Sequence, residues 1–228
     1  MDERELSLEV LRIEGHDLRS PIANIRSYAS MVLARRDALD RRTQRAMEVI
    51  VKNADRALEL IDEWIEFSRA RKGVVELTPA PCPLGSLVRM ALAEEAENLE
   101  SKGIQVETEI DDDLPVFELD ATRIRKAVRA LLSAAWRRSP ENSTIVLRLA
   151  PKGDRVRVEV EDRGPPPSRE EAERFFDHEF QMLAARRMAP GLDMAMAKAV
   201  AEAHGGEVGA EPLADGAVHF LSLPFARA

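Results

Sequence analysis

The stretch that decides the fold is Gly15–Ile25, which reads GHDLRSPIANI. Apolar residues continue on both sides of it in two rows of sevenfold spacing, a pattern that packs helix against helix. The two rows together form an apolar seam. His16 directly follows Gly15, which belongs to one row, so we expect the His16 side chain to lie beside the seam and face water. A lone surface histidine usually has no role, but an imidazole on the flank of a bundle can act as a nucleophile or a ligand. The two rows are Leu11, Leu18, Ile25 and Val32, and Leu8, Gly15, Ile22 and Ala29.

A second long helix is predicted after a short polar connection. The first helix is expected over residues 3–36, and the second runs from an N-cap at Asp40 to about residue 71. The apolar positions of the second helix alternate in steps of four and three, with Asn53 as the polar member. One antiparallel hairpin leaves a wide apolar stripe on each helix, so we expect two chains to form a four-helix bundle. The stripe of the second helix is Ala46, Ile50, Asn53, Ala57, Leu60, Trp64 and Phe67.

Composition bounds the remaining possibilities. The chain has 228 residues, 45% hydrophobic, enough for two small domains. A net charge of −8 argues against nucleic acid and anionic membranes as partners. The single cysteine excludes an intrachain disulfide. No apolar run reaches the roughly 20 residues of a membrane span, and the charged start does not resemble a signal peptide, so we expect a cytoplasmic protein.

The rest of the chain reads as an α+β fold. We predict a helical hairpin over 1–72, a proline-rich linker over 73–83 with a possible first strand at 74–77, and an α/β sandwich over 84–228. The predicted helices of the second domain cover 84–102, 120–138, 169–176 and 191–203. The predicted strands cover 104–110, 144–149, 155–161 and 217–223, with a hairpin between the second and third.

The stretch around His16 resembles the phospho-acceptor box of two-component sensor histidine kinases, which combines His, an acid, Arg, a hydroxyl residue and a mid-helix proline. The resemblance implies that His16 carries a phosphoryl group and that Asp17 orients its imidazole. Arg19 would neutralise phosphoryl charge or pair with an acid, and Ser20 leaves phosphatase activity open. The residues expected to contact a partner on the same flank are Arg12, Ala23, Asn24 and Ser27.

From residue 74 onward, the order of elements resembles the ATP-binding (GHKL, or Bergerat) domain of the same kinases. The stretch 199–207, AVAEAHGGE, closely follows the family's sequence after its last nucleotide box, and residues 175–180 resemble a degenerate F-box. The nucleotide boxes depart from the pattern. Ala134 stands where the family has a Mg²⁺-ligating Asn, and a methyl group cannot ligate a hard cation. Ala130 stands at an earlier Asn position, three prolines follow Gly164, and Asp193 replaces a phosphate-facing glycine.

Asp162, Gly164 and Gly191 are therefore read as vestiges of a nucleotide site. A carboxylate at position 193, about 4 Å from a phosphate charge, would cost roughly 4 kcal/mol at an effective dielectric near 20. Asp162 and Gly164 resemble the adenine-reading pair, but a strand end entering a loop explains them better. The histidines at 178, 204 and 219 lack metal-ligand spacing, and the basic residues Arg123, Arg125, Lys126 and Arg129 are most simply a solvated helix face.

Together these features predict a histidine phosphotransferase that passes phosphoryl groups between receiver-domain aspartates through His16. We expect a homodimer whose partners are response-regulator receivers, with Mg²⁺ supplied by the receiver, no metal site on this chain and little or no ATP binding. One alternative is an ATP-dependent histidine kinase core, or a response-regulator phosphatase, with a divergent nucleotide site. A second is a non-catalytic scaffold that binds receivers.

Overall fold

The protein is described by a computed structural model that covers residues 3–70, 75–177, 180 and 192–225. In the first helix the side chains are described from Leu18 onward. Further along the chain, the side chains of residues 36, 63, 64 and 66–70 are not described. The chain divides into two compact units, Met1–Val74 and Val75–Ala228.

The first unit is a helical hairpin, as the apolar spacing predicts. Helix α1 spans Glu3–Leu33, a 3₁₀ turn spans Arg36–Ala38, and α2 spans Arg41–Ala70. The predicted N-cap is confirmed, because the Asp40 carboxylate accepts the N–H groups of Arg42 and Thr43 at 2.9 and 3.0 Å.

The two helices of the hairpin meet through small residues and ion pairs. Ala29 and Ala54 are buried between them. Arg19 and Arg26, seven residues apart on α1, pair with Asp62 and Asp55 on α2. Of the second predicted seam row, Ala29 is buried and Ile22 is half-buried on the described part of α1.

The first predicted seam row stays exposed within one chain. Leu18 and Ile25 are each 54% exposed, and Val32 is 39% exposed. Asn53, the polar member of the α2 stripe, is also exposed, and its amide nitrogen donates to the Val49 carbonyl in the same helix. A single hairpin thus leaves uncovered the apolar row that the predicted four-helix bundle would bury.

The second unit places helices on a mostly antiparallel sheet. The described elements of this unit are β1 (Ala80–Cys82), α3 (Leu84–Glu94), α4 (Ala96–Ser101), β2 (Gln105–Ile110), β3 (Phe117–Leu119), α5 (Ala121–Arg138), β4 (Thr144–Lys152), β5 (Arg155–Asp162), α6 (Arg169–Glu173), α7 (Leu192–Ala203), β6 (Glu207–Leu213) and β7 (Gly216–Pro224).

The main sheet has the strand order β2-β4-β5-β7-β6. Strand β2 is parallel to β4, and the other neighbours are antiparallel. A separate two-stranded sheet pairs β1 with β3. Helix α5 packs against α3 and α7.

Period-two alternation in the central strands builds the core. Val156, Val158 and Val160 of β5 point inward with Leu221 and Leu223 of β7, and all five are at most 1% exposed. Burying one such side chain stabilises the fold by about 1.5–3 kcal/mol. The same inward rows also contain Asp162 and His219, so two ionisable side chains continue the apolar rows.

Several predicted elements differ from the structure. The helix expected over 84–102 is two helices, broken at Glu95, whose buried carboxylate accepts from Trp136 Nε1 at 2.9 Å and Asn98 Nδ2 at 2.8 Å. Residues 75–77 form no strand, and Val74 lies outside the described residues. Strand β1 instead falls within the expected linker. Strands β3 and β6 were not predicted, and α6 ends at Glu173 rather than at residue 176.

No helix among the described residues is both long and apolar enough to cross a membrane.

Candidate functional site

The phospho-acceptor stretch lies on α1. Residues 12, 16 and 17 fall within this helix, but the side chains of Arg12, His16 and Asp17 lie outside the described part of the molecule. Pro21 is inside the helix and has no N–H to give to the carbonyl four residues earlier. A proline at this point weakens the helix next to the histidine.

The described neighbours of His16 present a polar surface. Ser20, Ala23, Asn24 and Ser27 are all exposed, and their spacing keeps them on one side of the helix. Arg19 is half exposed and pairs with Asp62 of α2. Of the two roles that the sequence left open for Arg19, the structure places it with the acid.

The second candidate site lies where β5 ends against α5 and β7. Asp162 is fully buried, and its Oδ2 accepts from His219 Nε2 at 2.7 Å and from Arg138 Nε at 2.8 Å. Its Oδ1 accepts the Gly164 N–H at 2.8 Å. The Arg138 guanidinium also donates from Nη2 to the Pro165 carbonyl. The carboxylate is therefore surrounded by donors from the protein itself.

Aromatic rings complete this cluster. The Phe175 ring lies 4.4 Å, centroid to centroid, from the His219 ring. The Arg138 guanidinium carbon lies 5.6 Å from the centre of the same Phe175 ring, within the range of a cation–π contact. We refer to Arg138, Asp162, Phe175 and His219 as the buried cluster.

The charge state of the buried cluster follows from its geometry. Burial alone would raise the pKa of Asp162, but the hydrogen bond from His219, the Arg138 charge and the Gly164 N–H together lower it. Burial lowers the pKa of His219, and the Arg138 charge adds to that effect while Asp162 opposes it. At neutral pH the cluster holds an ionised Asp162, a charged Arg138 and a neutral His219, which donates through Nε2.

Gly164 is required by close packing. A Cβ atom on Gly164 would lie 2.8 Å from both the Cβ and the carbonyl oxygen of Arg138. The end of α5 is itself held in place, because Lys102 Nζ donates to the carbonyls of Trp136 and Ser139. A structural role thus explains the Asp162–Gly164 pair, in line with the sequence interpretation.

The remaining nucleotide-box positions offer little to a nucleotide. Ala130 is buried and Ala134 is half-buried, and neither side chain carries an oxygen that could ligate Mg²⁺. Asp193 occupies the first turn of α7, where a carboxylate complements the helix dipole and opposes phosphate. Gly191 lies outside the described residues, as does His178. At the nucleotide-box positions that the structure describes, the side chains therefore give Mg²⁺ no oxygen ligand and place a carboxylate at the start of α7.

The other charged and histidine predictions have structural explanations. Arg123 pairs with Asp120, and Arg125 and Arg129 pair with Glu94. His204 Nε2 accepts the Asp120 N–H at 3.0 Å, and its Nδ1 lies 2.8 Å from the Val200 carbonyl. Among the residues that the structure describes, no group of three or more His, Cys, Asp or Glu could hold a metal ion.

Sequence reasoning missed Arg138 and did not assign His219 to the site. A signal for His219 was present, because it shares inward parity with Ala217, Leu221 and Leu223 on β7 and must therefore be buried. Arg138 carried no such signal, since a basic residue in the last turn of a helix is ordinary.

Comparison with known proteins places both units. Residues 9–73 match the His Kinase A (phospho-acceptor) domain, and residues 119–227 match the histidine kinase-, DNA gyrase B- and HSP90-like ATPase domain. The alginate biosynthesis sensor protein KinB of Pseudomonas aeruginosa is 29% identical over 225 residues, which cover 97% of this chain and 37% of KinB. The sensor histidine kinase MtrB of Mycobacterium leprae is 30% identical over 219 residues, covering 93% of this chain and 38% of MtrB.

Solved structures agree with this placement. Full-length ShkA in complex with AMPPNP matches with a TM-score of 0.81 and 25% identity over 96% of this chain and 46% of ShkA. The histidine kinase ThkA in complex with the response regulator TrrA shares the fold, with a TM-score of 0.63 and 22% identity over 97% of this chain and 64% of that one. The chain spans well under half the length of KinB and MtrB. It has the phospho-acceptor and ATPase-fold domains of a sensor histidine kinase core and belongs to that family.

Proposed function

We propose that this chain is a histidine phosphotransferase, which receives its phosphoryl group from a receiver-domain aspartate and not from ATP. The observation that carries the proposal is the state of Asp162. The carboxylate that the family resemblance assigns to adenine is fully buried and already accepts from Arg138, His219 and Gly164. A base amine would have to displace a charged guanidinium from a buried carboxylate. Breaking a buried ion pair costs about 3–5 kcal/mol, or two to four decades of affinity.

The proposed reaction needs one nucleophile on this chain. The neutral imidazole of His16 attacks the phosphorus of an aspartyl phosphate, so that an N–P bond forms and the bond to the aspartate oxygen breaks. The aspartate leaves as a carboxylate, and a second receiver aspartate later takes the phosphoryl group in the reverse step. An unperturbed imidazole is mostly neutral at neutral pH. The Mg²⁺ that neutralises the transferred group belongs to the receiver.

The residues around His16 have separate proposed roles. Asp17 orients the imidazole. Ser20 lies one turn below His16 and could place a water for phosphatase activity. Arg12, Ala23, Asn24 and Ser27 form the proposed docking flank. Arg19 is assigned to the hairpin through its pair with Asp62 instead of to the phosphoryl group.

An ATP-dependent kinase core is the second candidate. It is favoured by the match of residues 119–227 to an ATPase domain and by the likeness to ShkA, which was solved with AMPPNP. In that case Arg138 would have to move away from Asp162 when nucleotide enters. The two candidates differ in the donor of the phosphoryl group, while both place that group on His16.

The proposal is tested by supplying the phosphoryl group on receiver domains. Receivers first phosphorylated with radiolabelled acetyl phosphate are incubated with the chain, which is then separated and treated with acid. We expect acid-labile label on the wild-type chain and none on His16→Gln. Lys52→Ala, a change at an exposed position of α2 outside the proposed docking flank, controls for general damage to the hairpin.

Three results would contradict the proposal. If no receiver of a broad panel transfers label while His16→Gln still binds receivers normally, the chain is a scaffold. If receivers only lose phosphate to water and His16 never carries label, the chain is a phosphatase. Label on both wild type and His16→Gln would place the acceptor elsewhere.

A further inference from the structure

Strand β2 leaves one edge of the main sheet open. It is the end strand in the order β2-β4-β5-β7-β6 and, within the described part of the chain, pairs with β4 alone. The Gln105 N–H donates to the Ser143 carbonyl, next to the start of β4. Successive residues of a strand direct their backbone groups to opposite sides, so the N–H groups of Val106, Thr108 and Ile110 face away from β4. These groups form a row with which another strand can pair.

The opposite edge of the sheet is built differently. Strand β6 contains Pro212, which has no N–H, and lies against α6. A proline and a covering helix are ordinary means of closing a strand edge. Strand β2, with the sequence QVETEI, contains no proline and presents the exposed residues Glu107, Thr108 and Glu109. Its backbone therefore remains competent to pair with a further strand.

A groove lies beside the first residues of β2, on the helix side of the sheet. Its volume is about 500 Å³. Leu99 and Ile104 are buried in its wall, and Val106 is half-buried there. Every second side chain of an added strand would point to this side, where the wall offers apolar contact. The apolar residues that line the groove are Leu92, Ala93, Ala96, Leu99, Ile104 and Val106.

The charges around this edge are mostly acidic. Glu107 and Glu109 lie on the opposite face of the strand from Val106. Two of the acids have basic partners, since Glu109 pairs with Arg148 and Asp112 pairs with Arg89. A second copy of β2 would bring glutamates next to glutamates, which is unfavourable, whereas a strand with Lys or Arg would be complementary. The acidic residues on and near the edge are Glu100, Glu107, Glu109, Asp111, Asp112 and Asp113.

We propose that the outer edge of β2 is a docking site for an extended basic segment of a partner protein, which adds to the main sheet as a further strand. Apolar side chains at alternate positions of the segment enter the groove beside Leu99 and Ile104. The Lys or Arg side chains between them face Glu107 and Glu109. Backbone hydrogen bonds supply affinity, and the two rows of side chains supply selectivity. The inference does not rest on the proposed function, because it involves neither His16 nor the nucleotide-box positions.

The first experiment measures peptide binding to the full chain. The probe is a fluorescein-labelled peptide of about ten residues, the length of a long strand, in which Val alternates with Lys. The comparison peptide alternates Val with Glu. We expect the Lys peptide to bind at least about tenfold more tightly than the Glu peptide in fluorescence anisotropy at low salt, because only the Lys peptide complements the acidic edge.

Hydrogen exchange of the backbone amides, followed by nuclear magnetic resonance, identifies the binding mode. At a Lys-peptide concentration about ten times the dissociation constant, mass action should slow the exchange of the outward amides about tenfold. These amides belong to Val106, Thr108 and Ile110. The amide of Gln105, which already bonds beside β4, should change little.

Thr108→Pro tests the backbone edge directly. Proline removes the outward N–H and leaves the alternate residues of β2 bonded to β4. Thr108→Ala is the matched control, because it loses the same side chain but keeps the N–H. We expect Thr108→Pro to weaken the Lys peptide by at least about tenfold and Thr108→Ala by no more than about twofold. Should Thr108→Pro prove unfolded by circular dichroism, Glu107→Lys replaces it and should weaken the Lys peptide about tenfold.

Several results would overturn the inference. The Lys peptide might fail to bind, the Glu peptide might bind as tightly, or Thr108→Pro might bind as well as Thr108→Ala. Unchanged binding by Glu107→Lys, or outward amides that exchange at the same rate with peptide bound, would have the same consequence. Exchange at these amides that slows with rising protein concentration and needs no peptide would assign the edge to a second copy of this chain and overturn the proposed partner.

Discussion

At the scale of single residues, Asp162 is a carboxylate that lies fully buried in the second unit. Its carboxylate is isolated from water, and an isolated buried carboxylate would protonate or destabilise the fold. Arg138 and His219 prevent this by donating two hydrogen bonds to one oxygen. The cluster thus stabilises the second unit with groups that are all covalently part of the chain.

The neutral state of His219 makes stability depend on pH. Burial lowers the pKa of His219 in the folded state below its ordinary value of 6.5, whereas the unfolded chain titrates near that value. The unfolded state therefore binds more protons at mildly acidic pH. The contribution of neutral His219 to the free energy of unfolding is complete above about pH 6.5 and is lost as the pH falls below that value. The slope for one proton is at most about 1.4 kcal/mol per pH unit.

We predict that the free energy of unfolding of wild type falls more than that of His219→Gln between about pH 6.5 and pH 5.5, by at most about 1 kcal/mol. Glutamine keeps a donor for Asp162 but does not titrate. Asp162 does not account for a change in this window, because its lowered pKa removes stability only at pH values below its ordinary 3.8. Urea unfolding at the two pH values measures the difference, and parallel pH profiles for the two proteins would contradict the prediction.

At the scale of helices and strands, regular patterns predicted most of the fold. Sevenfold apolar spacing gave both hairpin helices, and period-two alternation gave the β4–β5 hairpin with Lys152 opposite Arg155. The predictions that were wrong concern elements that depend on contacts between residues distant in sequence. The break at Glu95 rests on Trp136, 41 residues away, and β1 and β3 are three-residue strands that pair with each other across 37 residues of sequence.

For the candidate sites too, residues that are neighbours in sequence could be predicted and residues brought together by the fold could not. The phospho-acceptor stretch is contiguous, so its residue types and spacing could be recognised directly. The buried cluster assembles residues from α5, β5, β7 and the segment after α6, and of its members the sequence had linked only Asp162 to a nucleotide position. Arg138 could not be found from the sequence, because its partner lies 24 residues away on another element.

At the scale of the whole molecule, the two units keep different parts of the kinase chemistry. The first matches a phospho-acceptor domain and carries His16 in an unbroken box. The second matches an ATPase domain but has no side-chain oxygen at position 134, and the carboxylate at 162 already accepts from Arg138, His219 and Gly164. The proposed transfer function needs the acceptor of the first unit and no nucleotide on the second.

The exposed seam row of α1 predicts that the hairpin pairs with a second copy. Leu18, Ile25 and Val32 lie seven residues apart and remain exposed in one chain. Losing two buried isoleucine side chains, one from each copy, should cost about 3 kcal/mol or more, which weakens a dimer about 100-fold. We expect Ile25→Glu to be monomeric by light scattering at concentrations where wild type is dimeric.

The control for this prediction is Ser27→Glu, which adds the same charge at an exposed polar position of α1. It should remain dimeric. A wild type that is monomeric at micromolar concentration, or an Ile25→Glu variant that still dimerises with wild-type affinity, would show that the row does not form the interface.

The most direct test of the central claim is titration calorimetry of the full chain with Mg-ATP, followed by incubation with radiolabelled ATP. We predict no measurable binding at micromolar to submillimolar nucleotide and no acid-labile label on His16, because Arg138 occupies Asp162, Ala134 cannot ligate Mg²⁺, and Asp193 repels phosphate. Micromolar binding accompanied by acid-labile label that His16→Gln abolishes would contradict the account and show that the chain is an ATP-dependent kinase.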